Sequence, residues 1–179
     1  MNDYLIIAKH CFYIGVGYPI LYFILLFNEK FIQQKYENRM YIVKNFLKSL
    51  ILFYISVNLS YDLLNNYLEG NYILDNRLIK SYGSLYVSND IVALLVVRKL
   101  PFTTKIHHSI TTMLLLYFFS LDINDYDNIG ILILIYSLFS AYAFLVNFYL
   151  AARYFKKNTQ INKSYLNQSI YIDKIRVWA

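Results

Sequence analysis

The chain has a single cysteine, Cys11, which excludes a disulfide framework and a cysteine-based zinc site. Its three histidines, His10, His107 and His108, are too few for the His-rich di-iron centre of a desaturase or hydroxylase. Two prolines and five glycines exclude a low-complexity linker protein. Charge is scarce too. Asp, Glu, Lys and Arg make up 16% of the 179 residues, against about a quarter in an average soluble domain. What is abundant is apolar surface: 58% of the residues are hydrophobic, 19% aromatic, and the mean hydropathy is +0.38. A soluble core of this size cannot hide that much, so the excess points to lipid. The net charge of +6 would suit nucleic acid, but the basic residues lie between apolar runs, as in a membrane protein. No nucleic-acid partner is expected. The many Tyr, Phe, Ile, Asn and Lys residues are also what AT-rich codons supply, so Tyr and Asn inside apolar runs carry less functional weight than usual.

Five apolar stretches have the length a bilayer requires, roughly 17–25 residues each. They run from about Leu5 or Phe12 to Phe27, Phe46 to Leu64, Ser81 to Val97, Phe102 to Leu121, and Ile129 to Ala152. The fourth is entered through Pro101, a favoured first helical residue. The first reads as a retained anchor: Asp3 lies at its start and no small-x-small cleavage site follows Phe27. These features predict an all-α, multi-pass transmembrane helical bundle of about five spans. No internal repeat or long linker divides it. The expected organisation is a transmembrane domain over residues 1–155 and a basic cytoplasmic tail over 156–179. From Ile161 the tail reads either as an interfacial helix with Trp178 near the headgroups or as a disordered segment.

Lys and Arg counts set the expected orientation. Residues 28–48 hold five, 98–105 hold three and 153–179 hold six, against Lys9, Arg77 and Lys80 on the other side. The positive-inside rule then puts the N-terminus outside or lumenal and the C-terminus in the cytoplasm. The acidic loop with Asp122, Asp125 and Asp127 falls outside, in agreement. Glycosylation sequons begin at Asn58, Asn162 and Asn167, all inside a span or in the cytoplasm on this reading, so none should carry a glycan.

Ionisable groups at membrane depth are costly, about 2.5–3.5 kcal/mol for a carboxylate on insertion scales, so they tend to have a role. Asp62, close to Asn65 and Asn66, reads as interfacial or structural, and His10 as interfacial. Asp90 lies eight residues before Arg98, roughly 12 Å deep. Tyr86 and Leu94 share its helical face. His108 is roughly 10 Å deep on the next helix, and the short loop between makes the two helices antiparallel neighbours. Asp90 and the His107–His108 pair therefore arrive at similar depth. An Asp beside an imidazole fixes its tautomer and supports it as a base or nucleophile. The same pair also serves as interhelical glue or as part of a proton path. The spacing does not match helical zinc ligands, and no metal is expected. His108 shares a face with Thr111 and Thr112. On the fifth span Tyr136, Ser140, Ala143 and Asn147 form a small and polar stripe, suited to close packing or to lining a lipid-sized cavity.

The stretch Tyr86-Val-Ser-Asn-Asp90, the basic loop Arg98-Lys-Leu-Pro-Phe and the run Lys105-Ile-His-His108-Ser-Ile-Thr-Thr112 resemble the core of the TLC-domain family of multi-pass membrane proteins. The likeness is clear over residues 81–121 and looser over 129–155, where Phe144-Leu-Val-Asn147 precedes Arg153. It implies a helical bundle of the endoplasmic reticulum, or a related internal or host membrane, that binds, senses or metabolises membrane lipid. The best-known members are ceramide synthases, which transfer an acyl group from acyl-CoA to a sphingoid base. Carried over by motif, His107 and His108 would be acid/base or acyl-accepting residues and Asp90 their partner. Tyr86, Thr111, Thr112, Ser140 and Asn147 would line the lipid cavity. This chain departs from the synthases in one respect above all: Ile129 to Ala152 contains no Asp, Glu or His, where they carry a second acidic cluster. The final family helix is also absent, or is represented only by the polar tail. Three functions follow: a lipid-handling TLC-type protein, an N-acyltransferase of the ceramide synthase type using acyl-CoA as substrate, and a small viroporin-like ion or proton channel. None calls for a bound cofactor. Elongases are discounted because Thr104 stands where they carry a further His.

Overall fold

The computed structural model describes residues 3–70, 73–98, 100–125 and 129–156. The expected tail beyond Lys156, with Asn162 and Asn167, lies outside them, as does Asp127. The described chain is helical, with no strand. Helix α1 spans Asp3–Leu25, a short α2 Glu29–Ile32, α3 Tyr36–Leu68, α4 Asn76–Val96, α5 Phe102–Phe119, α6 Gly130–Ala141 and α7 Phe144–Ala152, followed by a 3-10 turn at Arg153–Phe155. Three stretches are long and apolar enough to cross a membrane: Tyr4–Leu25, Tyr36–Leu68 and Gly130–Phe155. The all-α membrane bundle expected from the sequence is thus observed, and each of the five apolar stretches is helical.

The boundaries differ where local chemistry overrides hydropathy. Helix α4 starts five residues before Ser81 because Asp75 caps it. Its carboxylate accepts hydrogen bonds from the backbone N–H of Arg77 at 2.9 Å and Leu78 at 3.1 Å. Helix α3 begins ten residues before Phe46, so Lys44 and Lys48, expected in a loop, lie inside it and are buried. The fifth stretch is not one helix. It breaks at Tyr142–Ala143, where Ala143 and Val146 donate to carbonyls three residues back. Asn147 marks the break by donating its amide to the Ala143 carbonyl at 3.0 Å. No Pro or Gly announces it in the sequence.

Helix α3 is the hub, packed against α1, α4, α6 and α7, while α4 packs on α1, α3 and α5. Val43, Leu52, Ile55 and Leu59 of α3 form the buried stripe that the neighbours cover. Outward-facing side chains such as Phe12, Phe23, Leu50, Phe139 and Leu145 are exposed and apolar, the surface a lipid environment accommodates. Between α1 and α4 the fit rests on small residues: Ser84 and Ser88 are fully buried, and Ser84 Oγ lies 3.0 Å from His10 Nδ1.

The loops gather at two ends. Lys30 Nζ donates to the Phe155 carbonyl at 2.8 Å, joining the α1–α3 linker to the end of α7. At the other end Asn124 exchanges two hydrogen bonds with the backbone of Leu74, at 2.8 and 2.9 Å. Lys80 Nζ there donates to the Phe119 carbonyl at the end of α5, at 2.8 Å.

Candidate functional site

The site forms where α3, α4 and α5 meet. Three consecutive turns of α4 bring Tyr82, Tyr86 and Asp90 to the face packed between α3 and α5. Asp90 is fully buried. Its Oδ1 accepts a hydrogen bond from the ammonium of Lys48 on α3, which is itself buried. Its Oδ2 lies 3.1 Å from Nδ1 of His108 and 3.5 Å from Oγ1 of Thr111, both on α5. The Lys48 ammonium also stands over the Tyr86 ring, 5.1 Å from its centroid. One carboxylate therefore ties three helices together.

The polar contacts differ in strength. The Lys48–Asp90 pair is a charge-assisted hydrogen bond inside the bundle, where the dielectric is low and both partners are otherwise expensive to bury. His108 approaches Asp90 closely, but neither of its ring nitrogens makes an aligned hydrogen bond, so the imidazole is held beside the carboxylate rather than locked to it. Thr111 spends its proton nearby, with its Oγ1 at 3.1 and 3.0 Å from the carbonyls of His107 and His108.

Asp90, His107 and His108 each offer a ligand atom within 4.8 Å of the others, close enough to converge on one ion. The donor set argues against one. The Lys48 ammonium already supplies the positive charge at Asp90, and a divalent ion beside it in this medium would be repelled.

The structure brings Asp90 and His108 together. His107 faces outward on α5, exposed, with its ring 5.7 Å from that of His108. Of the residues expected to line a lipid cavity, Tyr86 and Thr111 do line a groove. Ser140 stands within hydrogen-bonding reach of Tyr86. Thr112 and Asn147 turn their polar groups to the carbonyls of His108, at 2.7 Å, and Ala143, at 3.0 Å. Asp62, read as structural, accepts from Tyr82 at 2.8 Å and pins α3 to α4. Sequence reasoning missed Lys48. It had a signal: Lys48, Leu52, Ile55 and Leu59 follow helical spacing, so Lys48 heads the buried stripe of α3.

The groove begins at Tyr86 and Thr111 and runs away from Asp90 between α3, α4, α5 and α6. Leu59, Ile79, Leu115, Phe118 and Leu134 form its apolar walls. Gly83 makes room for it: a Cβ there would stand 3.0 Å from Leu115 Cδ1. Helices α5 and α6 scarcely touch, and the half-exposed Leu114 and Tyr136 flank the gap between them. The groove is thus open sideways, toward the surface that lipid would cover.

No protein-family model, characterised protein or solved structure matches the chain.

Proposed function

We propose that this is a TLC-type multi-pass membrane protein that binds a membrane lipid, taking it from the side through the α5–α6 gap. The observation that carries the reading is the junction of two unlike features: an apolar groove open to the bundle exterior and a buried ionic cluster, with Tyr86 and Thr111 belonging to both. An apolar pocket with a few convergent polar groups is the usual form of a small-molecule site. In this reading the five helical stretches all cross the membrane of the endoplasmic reticulum or a related compartment, with the N-terminus lumenal. The Lys48–Asp90 pair ties α3 to α4 and braces the end of the groove.

A second reading, N-acyl transfer, is favoured by one distance. A carboxylate 3.1 Å from Nδ1 of His108 favours the tautomer whose Nε2 is free to act as a base toward a sphingoid amine. The absence of acids from Ile129 to Ala152 weighs against it. A channel draws less support, because Lys48 neutralises the carboxylate that a cation or proton path would use.

Mass spectrometry of the protein purified in mild detergent, with acyl-CoA and a sphingoid base supplied, separates these readings. Co-purified lipid without turnover is expected. A new N-acyl product lost in His108→Ala would establish the enzyme, and lipid-free protein with no turnover would refute both.

A further inference from the structure

We infer that the end of the bundle where α3 begins and α7 finishes binds the phosphate of an anionic phospholipid, gripped by Arg153. This is a second place in the molecule, and it needs no lipid in the groove. The apolar runs stop here on both helices, at Phe46 on α3 and Ala152 on α7. Tyr41 and Tyr154 lie just beyond them, at the level where aromatic side chains meet headgroups. Their rings pack edge to face, with centroids 6.1 Å apart. Arg153 leans on both, its guanidinium carbon 5.9 Å from the Tyr41 centroid and 5.3 Å from that of Tyr154.

The two rings hold this half-buried guanidinium in place. Among the described residues no carboxylate or carbonyl takes a hydrogen bond from it, so its planar fork of N–H donors is left for another acceptor. Such a fork matches two oxygens of a phosphate at once. Lys44, buried on α3, stands 5.9 Å from the same Tyr41 centroid and brings a second positive charge. The acids at this end, Glu29 and Glu37, are outnumbered by its basic residues, so the local field favours an anion. Basic pockets between membrane helices are a recurrent seat for anionic headgroups. A phospholipid brings its phosphate to this depth with its tails already in the bilayer, which a soluble phosphate does not.

The test titrates the full-length protein in mild detergent with phosphatidylinositol 4-phosphate or phosphatidylcholine and reads bound lipid by native mass spectrometry. The wild type is expected to bind the phosphoinositide at least about tenfold tighter, the ratio that roughly 1.4 kcal/mol of discrimination produces. Arg153→Lys keeps the charge but loses the fork and the stacking, and should weaken phosphoinositide binding severalfold while leaving phosphatidylcholine binding as it was. Tyr41→Leu keeps every charge and removes the ring beneath them; it should act in the same direction, and it serves as the test if Arg153→Lys fails to fold. Lys35→Ala, which removes an exposed cation from the same end, should leave the affinity unchanged. Equal binding of the two lipids overturns the inference. So does wild-type affinity in Arg153→Lys, or a loss in Lys35→Ala as large as in Arg153→Lys, since either means a diffuse basic surface. Displacement of the phosphoinositide by an equal concentration of inorganic phosphate assigns the site to a soluble anion and overturns the lipid assignment. Gly83→Leu, which fills the groove, should not change phosphoinositide binding; a loss there equal to that of Arg153→Lys places the lipid in the groove and overturns the inference while leaving lipid binding standing.

Discussion

Replacing Lys48 by Met strands the Asp90 carboxylate inside the bundle, and replacing Asp90 by Asn strands the ammonium. Breaking a buried pair from one side costs about 3–5 kcal/mol, whereas removing both charges is often nearly neutral. Thermal unfolding in detergent should therefore show each single variant strongly destabilised and the double variant Lys48→Met/Asp90→Asn recovering most of the loss. Strictly additive losses would mean the two groups are not coupled. His108→Ala should cost less than either single charge variant, because His108 makes no aligned hydrogen bond to the carboxylate. The Asp90–His108 meeting was legible in the sequence: a short loop fixes antiparallel neighbours, and residue counting gives equal depth. Lys48 was not. A lysine where an apolar run begins looks like the flank of a span, and its partner lies 42 residues away, beyond anything local hydropathy encodes.

At the scale of helices, two side chains position α4. Asp75→Ala removes the cap that starts it four residues before Lys80. The expected cost is about 1 kcal/mol, checked by the melting temperature and by faster hydrogen exchange at Arg77 and Leu78. Tyr82→Phe removes the hydrogen bond to Asp62 and should cost about 1 kcal/mol in the same melting assay, since Asp62 retains access to its surroundings. The start of α4 was misplaced by reading apolar runs alone, because a cap adds polar turns to a helix without adding hydropathy. The break between α6 and α7 had no signal either. Both helices pack on α3, and Ser60 Oγ of that helix lies 2.9 Å from the Tyr142 hydroxyl at the break.

For the molecule as a whole, the two ends of the bundle carry different charge. Lys30, Lys35, Arg39, Arg98, Arg153 and Lys156 collect at one end beside Glu29 and Glu37; Glu69, Asp75, Arg77, Lys80, Asp122 and Asp125 gather at the other. Discounting the buried Lys44 and Lys48 leaves twelve basic residues on the expected cytoplasmic side against three on the other, so the direction of the bias survives. The chain's single cysteine makes this simple to check. In a Cys11→Ser background, cysteines placed at Gln34 and Lys156 should react with an impermeant thiol reagent from the cytoplasmic side only, and those at Gly70 and Asp125 from the other side only. Labelling of Gln34 and Gly70 from the same side would rule out α3 as a span.

The order of the ion pair along the chain also sets a schedule for synthesis. Lys48 leaves the ribosome 42 residues ahead of Asp90, an interval of roughly 2–8 s at about 5–20 residues per second. During that time α3 carries the Lys48 ammonium before the carboxylate it meets in the folded bundle has been made. A nascent chain arrested before Asp90 is therefore expected to remain extractable by alkali or in contact with the translocon, and one extended through α4 to be released into the bilayer.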